Sequence, residues 1–306
     1  MSRDSFPFDP REDDASIDRT KIRTTGFPRA QLPRETGSSD DLESDRLARH
    51  CLKPENEDRP RAYELGRRTF LLRESEVQAI ADLGTFRVVA ADDLARCAYS
   101  GDATRMEREI RHLHEQGIVV VRTLPTSGRN SLRVVGLTKL GKRLLRNANL
   151  LANSQAVYHG IVRPREAKHD AGLYRLFHAE AARIESAGGR PLRVILDYEL
   201  SRHLNRELER LGERRNDPYE IATLAERHGL AVVDGKIPLP DMRIEYQTED
   251  LELRQINLEL ATRHYRPRGV AEKAKAGFTL YSSREDAPRL RRILDEQELT
   301  ARIFAL

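Results

Sequence analysis

The chain has no tryptophan, only two cysteines and three methionines among 306 residues, and aromatic residues make up 6%. Each shortage excludes something. Cys51 and Cys97 lie far apart in unlike contexts. They give no zinc-ligand spacing and no disulfide framework, and a reducing cytoplasm is the expected compartment. No apolar run of about 18 residues occurs, so no membrane span is expected. The start, MSRDSFPFDP, lacks a basic stretch followed by an apolar one and does not read as a secretory signal. A large one-signed charge is missing too, because the formal net charge is only +4.

What is present is charge in quantity, at 33% of residues, and unevenly placed. Residues 1–60 hold 11 basic and 14 acidic side chains, whereas residues 61–150 hold 16 basic and 10 acidic ones. A net of +6 gathered in one small stretch suits a phosphate backbone. The plainer reading is a solvated, arginine-rich surface.

Four segments follow from composition and periodicity. Residues 1–62 are polar and aperiodic and are expected to be a disordered tail, with a protein partner as one use for it. In 63–150, ESEVQAIADLG, AADDLARCAY and ATRMEREIRHLHEQG read as three helices. Asp102 is placed to cap the third and Gly117 to close it. IVVVRTL and SLRVVGLT then form a hairpin, and TKLGKRLLRNA a fourth helix. That order is a winged helix-turn-helix. The third helix turns Met106, Ile110 and Leu113 inward. It presents Thr104, Arg105, Arg108 and Arg111 outward, where arginines meet guanine edges or phosphates in the major groove. The hairpin adds Arg122, Arg129 and Arg133, with Gly128 and Asn130 suited to a tight tip. Double-stranded DNA is the expected partner, and a homodimer reading two half-sites is compatible with it. A protein-binding adaptor, with Glu107, Glu109 and Glu115 pairing the arginines, is the other reading.

Residues 151–163 read as a linker. Residues 164–306 read as an α/β domain. It opens with a long amphipathic helix, and PLRVILDYEL, MRIEYQ and LRQINLELAT are its strand-like runs. Pro240-Asp241 heads one strand and Glu259 sits in the next. Two carboxylates so placed, with a lysine nearby, can bind Mg²⁺ and stabilise charge on a phosphate. Two residues after Glu259, where a lysine is needed, stands Ala261. PRGVAEKAKAGFTLY reads as a loop and helix, and its Lys273 and Lys275 are the candidates to reach back. They would serve either as catalytic groups or only to neutralise the carboxylates. His264 and Tyr265 fall at the strand end. Asp197 and Glu199 form a further acidic pair on one expected strand face, His169 begins the long helix, and Glu245 and Glu252 read as solvated. Three alternatives stand: a Mg²⁺-dependent nuclease using Asp241 and Glu259, a nuclease-like fold without chemistry or cofactor, and coincidence.

LHEQGIVVV and GLTKLGKRLL in the first part, with PDMRIEY, NLELAT and KAKAGFTLY in the second, resemble the replication-relaxation family of plasmids and integrated mobile elements. The resemblance implies a winged helix followed by a restriction-endonuclease-like domain. It matches Asp241, Glu259, Thr262, Lys275 and Tyr281 to the family's motif positions. It further implies a regulator or an accessory factor in replication or transfer.

Overall fold

The computed structural model describes residues 59–125, 131–161, 164–262 and 265–306. The expected tail, apart from its last four residues, lies outside them, as do Gly128, Arg129, Asn130 and His264.

Order begins earlier than the composition implies. Strands β1 (Arg61–Leu65) and β2 (Arg68–Leu72) form an antiparallel hairpin. Alternation explains it: Tyr63, Leu65, Phe70 and Leu72 turn inward, the period-two pattern of a half-buried ribbon. Gly66, at φ +62°, supplies the tight turn.

Helix α1 (Glu74–Thr85), strand β3 (Val89–Ala90), helices α2 (Ala91–Ala98) and α3 (Ala103–Glu115), strands β4 (Val119–Pro125) and β5 (Ser131–Leu137), and helix α4 (Lys139–Asn147) follow. The strands make an antiparallel sheet in the order β3-β5-β4. Ile80, Leu83, Leu94, Met106, Ile110, Leu113 and Leu137 are all at most 2% exposed and form its core. Burying each side chain contributes roughly 1.5–3 kcal/mol. Asp102 caps α3 by accepting from the Arg105 amide at 2.8 Å, as the sequence suggests. Thr138 caps α4 through the Gly141 amide and donates to the Gly117 carbonyl at 2.6 Å.

The second half contains α5 (Pro164–Ser186), β6 (Arg190–Leu196), α6 (Asp197–Leu211), a 3-10 turn at Gly212–Asn216, α7 (Pro218–Arg227), β7 (Met242–Gln247), β8 (Leu253–Leu260), α8 (Pro267–Lys275), β9 (Thr279–Ser282), α9 (Ala287–Glu296) and β10 (Ile303–Ala305). The sheet order is β10-β9-β8-β7-β6, antiparallel from β6 to β8 and parallel from β8 to β10. The whole is an α/β architecture: a small antiparallel sheet with helices, then a larger mixed sheet.

Two boundaries differ from the sequence reading. DYEL opens α6 instead of ending a strand, and Asp197 and Glu199 fall in the first helical turn, where carboxylates suit the helix dipole. They therefore do not share a strand face. FTLY belongs to strand β9, apart from its first residue, rather than to helix.

The two halves share one apolar core running from Phe70 to Tyr281. Helix α5 is the common wall. Its Tyr174 donates to Asp82 of α1 at 2.7 Å and meets the Phe86 ring edge-on at 5.2 Å, while its Glu180 accepts from Tyr281 of β9. The segment expected as a linker is packed along this seam. Tyr158 donates its amide to Gly84 at 2.7 Å and Gly160 to Leu137 at 2.8 Å. The Gln155 side chain takes both backbone groups of Val194, at 2.8 and 3.0 Å, and so satisfies β6 on its open edge.

Candidate functional site

Two places answer to the sequence reading. On α3, Thr104, Arg108 and Arg111 are exposed, as is Arg122 on β4. The Arg108 side chain is 64% exposed and stands 3.9 Å from its nearest ion-pair partner, Glu109. Arg105 and Arg133 are differently placed. Arg105 binds Glu109 at 2.9 Å and Ser75 at 3.0 Å, so it braces α3 against α1. Arg133 forms a two-pronged pair with Glu107, one arm at 2.8 Å, which fixes β5 against α3. Both arginines hold the helix in place while the other three remain open to solvent.

The second place lies where β7 begins and β8 ends. Asp241 and Glu259 do come together: the Asp241 amide donates to Glu259 Oε2 at 3.2 Å. Asp241 Oδ2 accepts from the Leu260 amide at 2.8 Å, and Oδ1 meets His169 Nε2 at 3.2 Å. Glu259 is fully buried. Its Oε1 accepts from Tyr265, and Lys273 Nζ lies 3.0 Å from Oε1 and 3.1 Å from Oε2. Lys273 also donates to the Leu239 carbonyl. Of the two lysines proposed to reach back, Lys273 arrives; Lys275 is exposed on the same helix. They stand two positions apart, about 200° around a helix, so only one can face the strand. Tyr281, matched to the family motif by resemblance, bonds Glu180 instead.

Burial pushes the Glu259 carboxyl up to about 7, with the charge of Asp241 adding to it and Lys273 and Tyr265 opposing. Burial pulls His169 down, but the hydrogen bond and charge of Asp241, with Asp170 and Glu259, outweigh it, and the net direction is up. Burial also raises the Tyr265 hydroxyl, aided by both carboxylates. A divalent ion fits this arrangement poorly. Every oxygen of the Asp241 and Glu259 carboxylates already has a hydrogen-bond or ion-pair partner. Among the described residues no group of three or more His, Cys, Asp or Glu side chains could hold a metal. Lys273 supplies a cation to the cluster from within, and His169 stands against Asp241.

Next to it lies a polar joint that the sequence reading did not foresee. Arg87 stands at the end of the α1–β3 turn, with φ +58°. It reaches Asp170 at 3.3 Å and Asp197 at 3.1 Å. Burial lifts Asp170 to about 6 against the pull of Arg87 and His169. Separations of 83 and 110 residues left no local signal for these pairs. His169 and Asp170, adjacent on α5, thus connect the carboxylate cluster to the small sheet's half of the chain.

No protein-family model matches the chain, so the likeness to the replication-relaxation family rests on the quoted motifs. No curated protein matches either. A solved structure of Bacillus subtilis PadR in complex with operator DNA is similar at 15% identity. It covers 50% of this chain and 77% of that one with a TM-score of 0.20, too low to carry an argument. No helix among the described residues is long and apolar enough to cross a membrane.

Proposed function

We propose that the chain is a double-stranded DNA-binding protein that lays α3 in the major groove. Its second domain has a nuclease-like outline without a working metal centre. Arg108 and Arg111 read base edges or phosphates, Thr104 lies on the same face, and Arg122 with Arg129 contacts the backbone from the β4–β5 wing. The observation that carries this reading is the exposed face of α3. Arg108 and Arg111 point to solvent while Arg105 and Arg133 are spent on holding the helix in position. An adaptor reading would need the acids to occupy the arginines of that face, and Glu107 and Glu109 chiefly take the other two. A role in regulation, or in replication or transfer of a mobile element, is the finer form of the proposal and rests on motif resemblance. A first domain that reaches residue 150 and a second from residue 164, with a homodimer on two half-sites, complete it.

The test is selection from random duplex DNA with the full chain, with and without Mg²⁺, followed by anisotropy titrations. Arg108→Ala with Arg111→Ala should weaken binding and lower the salt slope by up to about 0.9 for each phosphate no longer neutralised. Unchanged affinity in that variant removes α3 from the interface. Metal-dependent cleavage abolished by Asp241→Asn and Glu259→Gln would replace the binder reading with the nuclease one.

A further inference from the structure

The β1–β2 hairpin has no part in the assignment above. We propose that it is a second wing, holding the phosphate backbone of the same duplex on the flank of α3 opposite β4–β5. This rests on the reading of α3 as the groove-facing helix.

Side-chain bonds define both flanks of α3. On one, Arg133 of β5 pairs with Glu107. On the other, Ser75 at the start of α1 donates to Glu109 at 2.7 Å, and His112 meets Glu76 at 2.5 Å. At the end of the helix, Arg68 of β2 donates to the Gln116 carbonyl at 3.0 Å. Residues 105, 109, 112 and 116 therefore face α1 and the hairpin, and residue 107 faces β5. Residues 104, 108 and 111 stand on the exposed face between them. The hairpin base is fixed near the start of α1, where Arg61 lies 3.7 Å from Glu74, and its tip lies by the end of α3. It borders the proposed recognition face as β4–β5 does from the other side.

Its charge is one-sided. Residues 59–73 contain Arg59, Arg61, Arg67, Arg68 and Arg73 against Glu64 alone. Arg59, Arg61, Arg67 and Arg68 are exposed. Arg67 follows Gly66 at the turn, and a Cβ built on Gly66 would meet nothing within 4 Å. The ribbon is anchored, because Tyr63, Leu65, Phe70 and Leu72 pack on the core and Asn147 of α4 donates to the Glu64 carbonyl at 3.0 Å. An anchored ribbon with cations at its base and tip suits backbone binding, which positions a protein and carries no sequence information.

The experiment uses the full chain and a duplex recovered by the selection above. Arg61→Ala with Arg67→Ala, both exposed, is compared with Arg108→Ala by anisotropy at several salt concentrations and by hydroxyl-radical footprinting. Melting curves first establish that each variant is folded. Arg61→Ala with Arg67→Ala should lower the salt slope by up to about 1.8. Affinity should fall alike for selected and scrambled duplexes, and footprint protection should disappear at one edge. An unchanged slope and footprint, while Arg108→Ala still weakens binding, would overturn the second wing and leave the α3 reading standing. A hairpin variant that changes sequence preference with no change of slope would overturn it as well. Failure of the wild-type chain to bind any duplex would remove both.

Discussion

Lys273→Met tests whether the lysine on α8 does the work of an ion at the carboxylate cluster. Glu259 is fully buried and its carboxyl stands at about 7 rather than its ordinary 4.5. The folded chain thus holds that proton more tightly than the unfolded one. The resulting stability is complete below 4.5 and is lost as pH rises through about 7. In the wild type the loss ends there, because the carboxylate ionises beside the Lys273 ammonium. With methionine it continues, since Glu259 must stay protonated or ionise with no cation at 3.0 Å. Each further pH unit costs about 1.4 kcal/mol. At pH 8.5 the variant is therefore less stable by roughly 2 kcal/mol from this cause alone. Losing the hydrogen bond to Leu239 adds a pH-independent ~0.5–1.5 kcal/mol. For a chain of this size roughly 2 kcal/mol lowers the melting temperature by about 4–8 °C. Thermal melts of both proteins at pH 5.5, 7 and 8.5 decide the matter. A melting difference that is the same at all three pH values would refute the neutralising role of Lys273.

Arg87→Met removes the cation from Asp170, whose side chain is 5% exposed; the loss should be about 3–5 kcal/mol above pH 6, where Asp170 is charged, and smaller below it. Adding Asp170→Asn should recover part of that loss, and denaturant midpoints that do not move would exclude the pair as a clamp between the two halves. Gly141→Ala puts a Cβ 2.4 Å from the Ile118 carbonyl and 2.9 Å from Leu137. It should destabilise by roughly 1–3 kcal/mol although alanine is the better helix former, and a higher urea midpoint would show that α4 can move away.

The local order of the first domain was legible in the residues. Period-3.6 stripes gave α1, α2 and α3, and the β-branched run at Val119–Val121 gave β4. Asp102 marked the start of α3. Such signals come from neighbours along the chain, and propensity and capping act on neighbours. The hairpin at 61–72 escaped because its inner face is only four residues long and its charged outer positions match a polar tail. Around DYEL the local signal is ambiguous, because Leu196 and Asp197 belong equally well to a strand end and a helix start. The Asp197 amide, which has no partner within the first helical turn, donates to the Asp241 carbonyl just before β7 at 3.1 Å.

Periodicity and spacing thus point to α1 to α4, the strands β4 and β5, the arginine-bearing face of α3, and two carboxylates just before β7 and within β8. Which arginines are open to a partner and which hold α3 came only with packing, since that depends on Ser75, Glu107 and Glu109 being brought to them. Packing also chose Lys273 over Lys275 and joined Arg87 to Asp170 across the seam. A charge's role is set by the partner within a few ångströms, and residues distant along the chain become such partners only when the core closes.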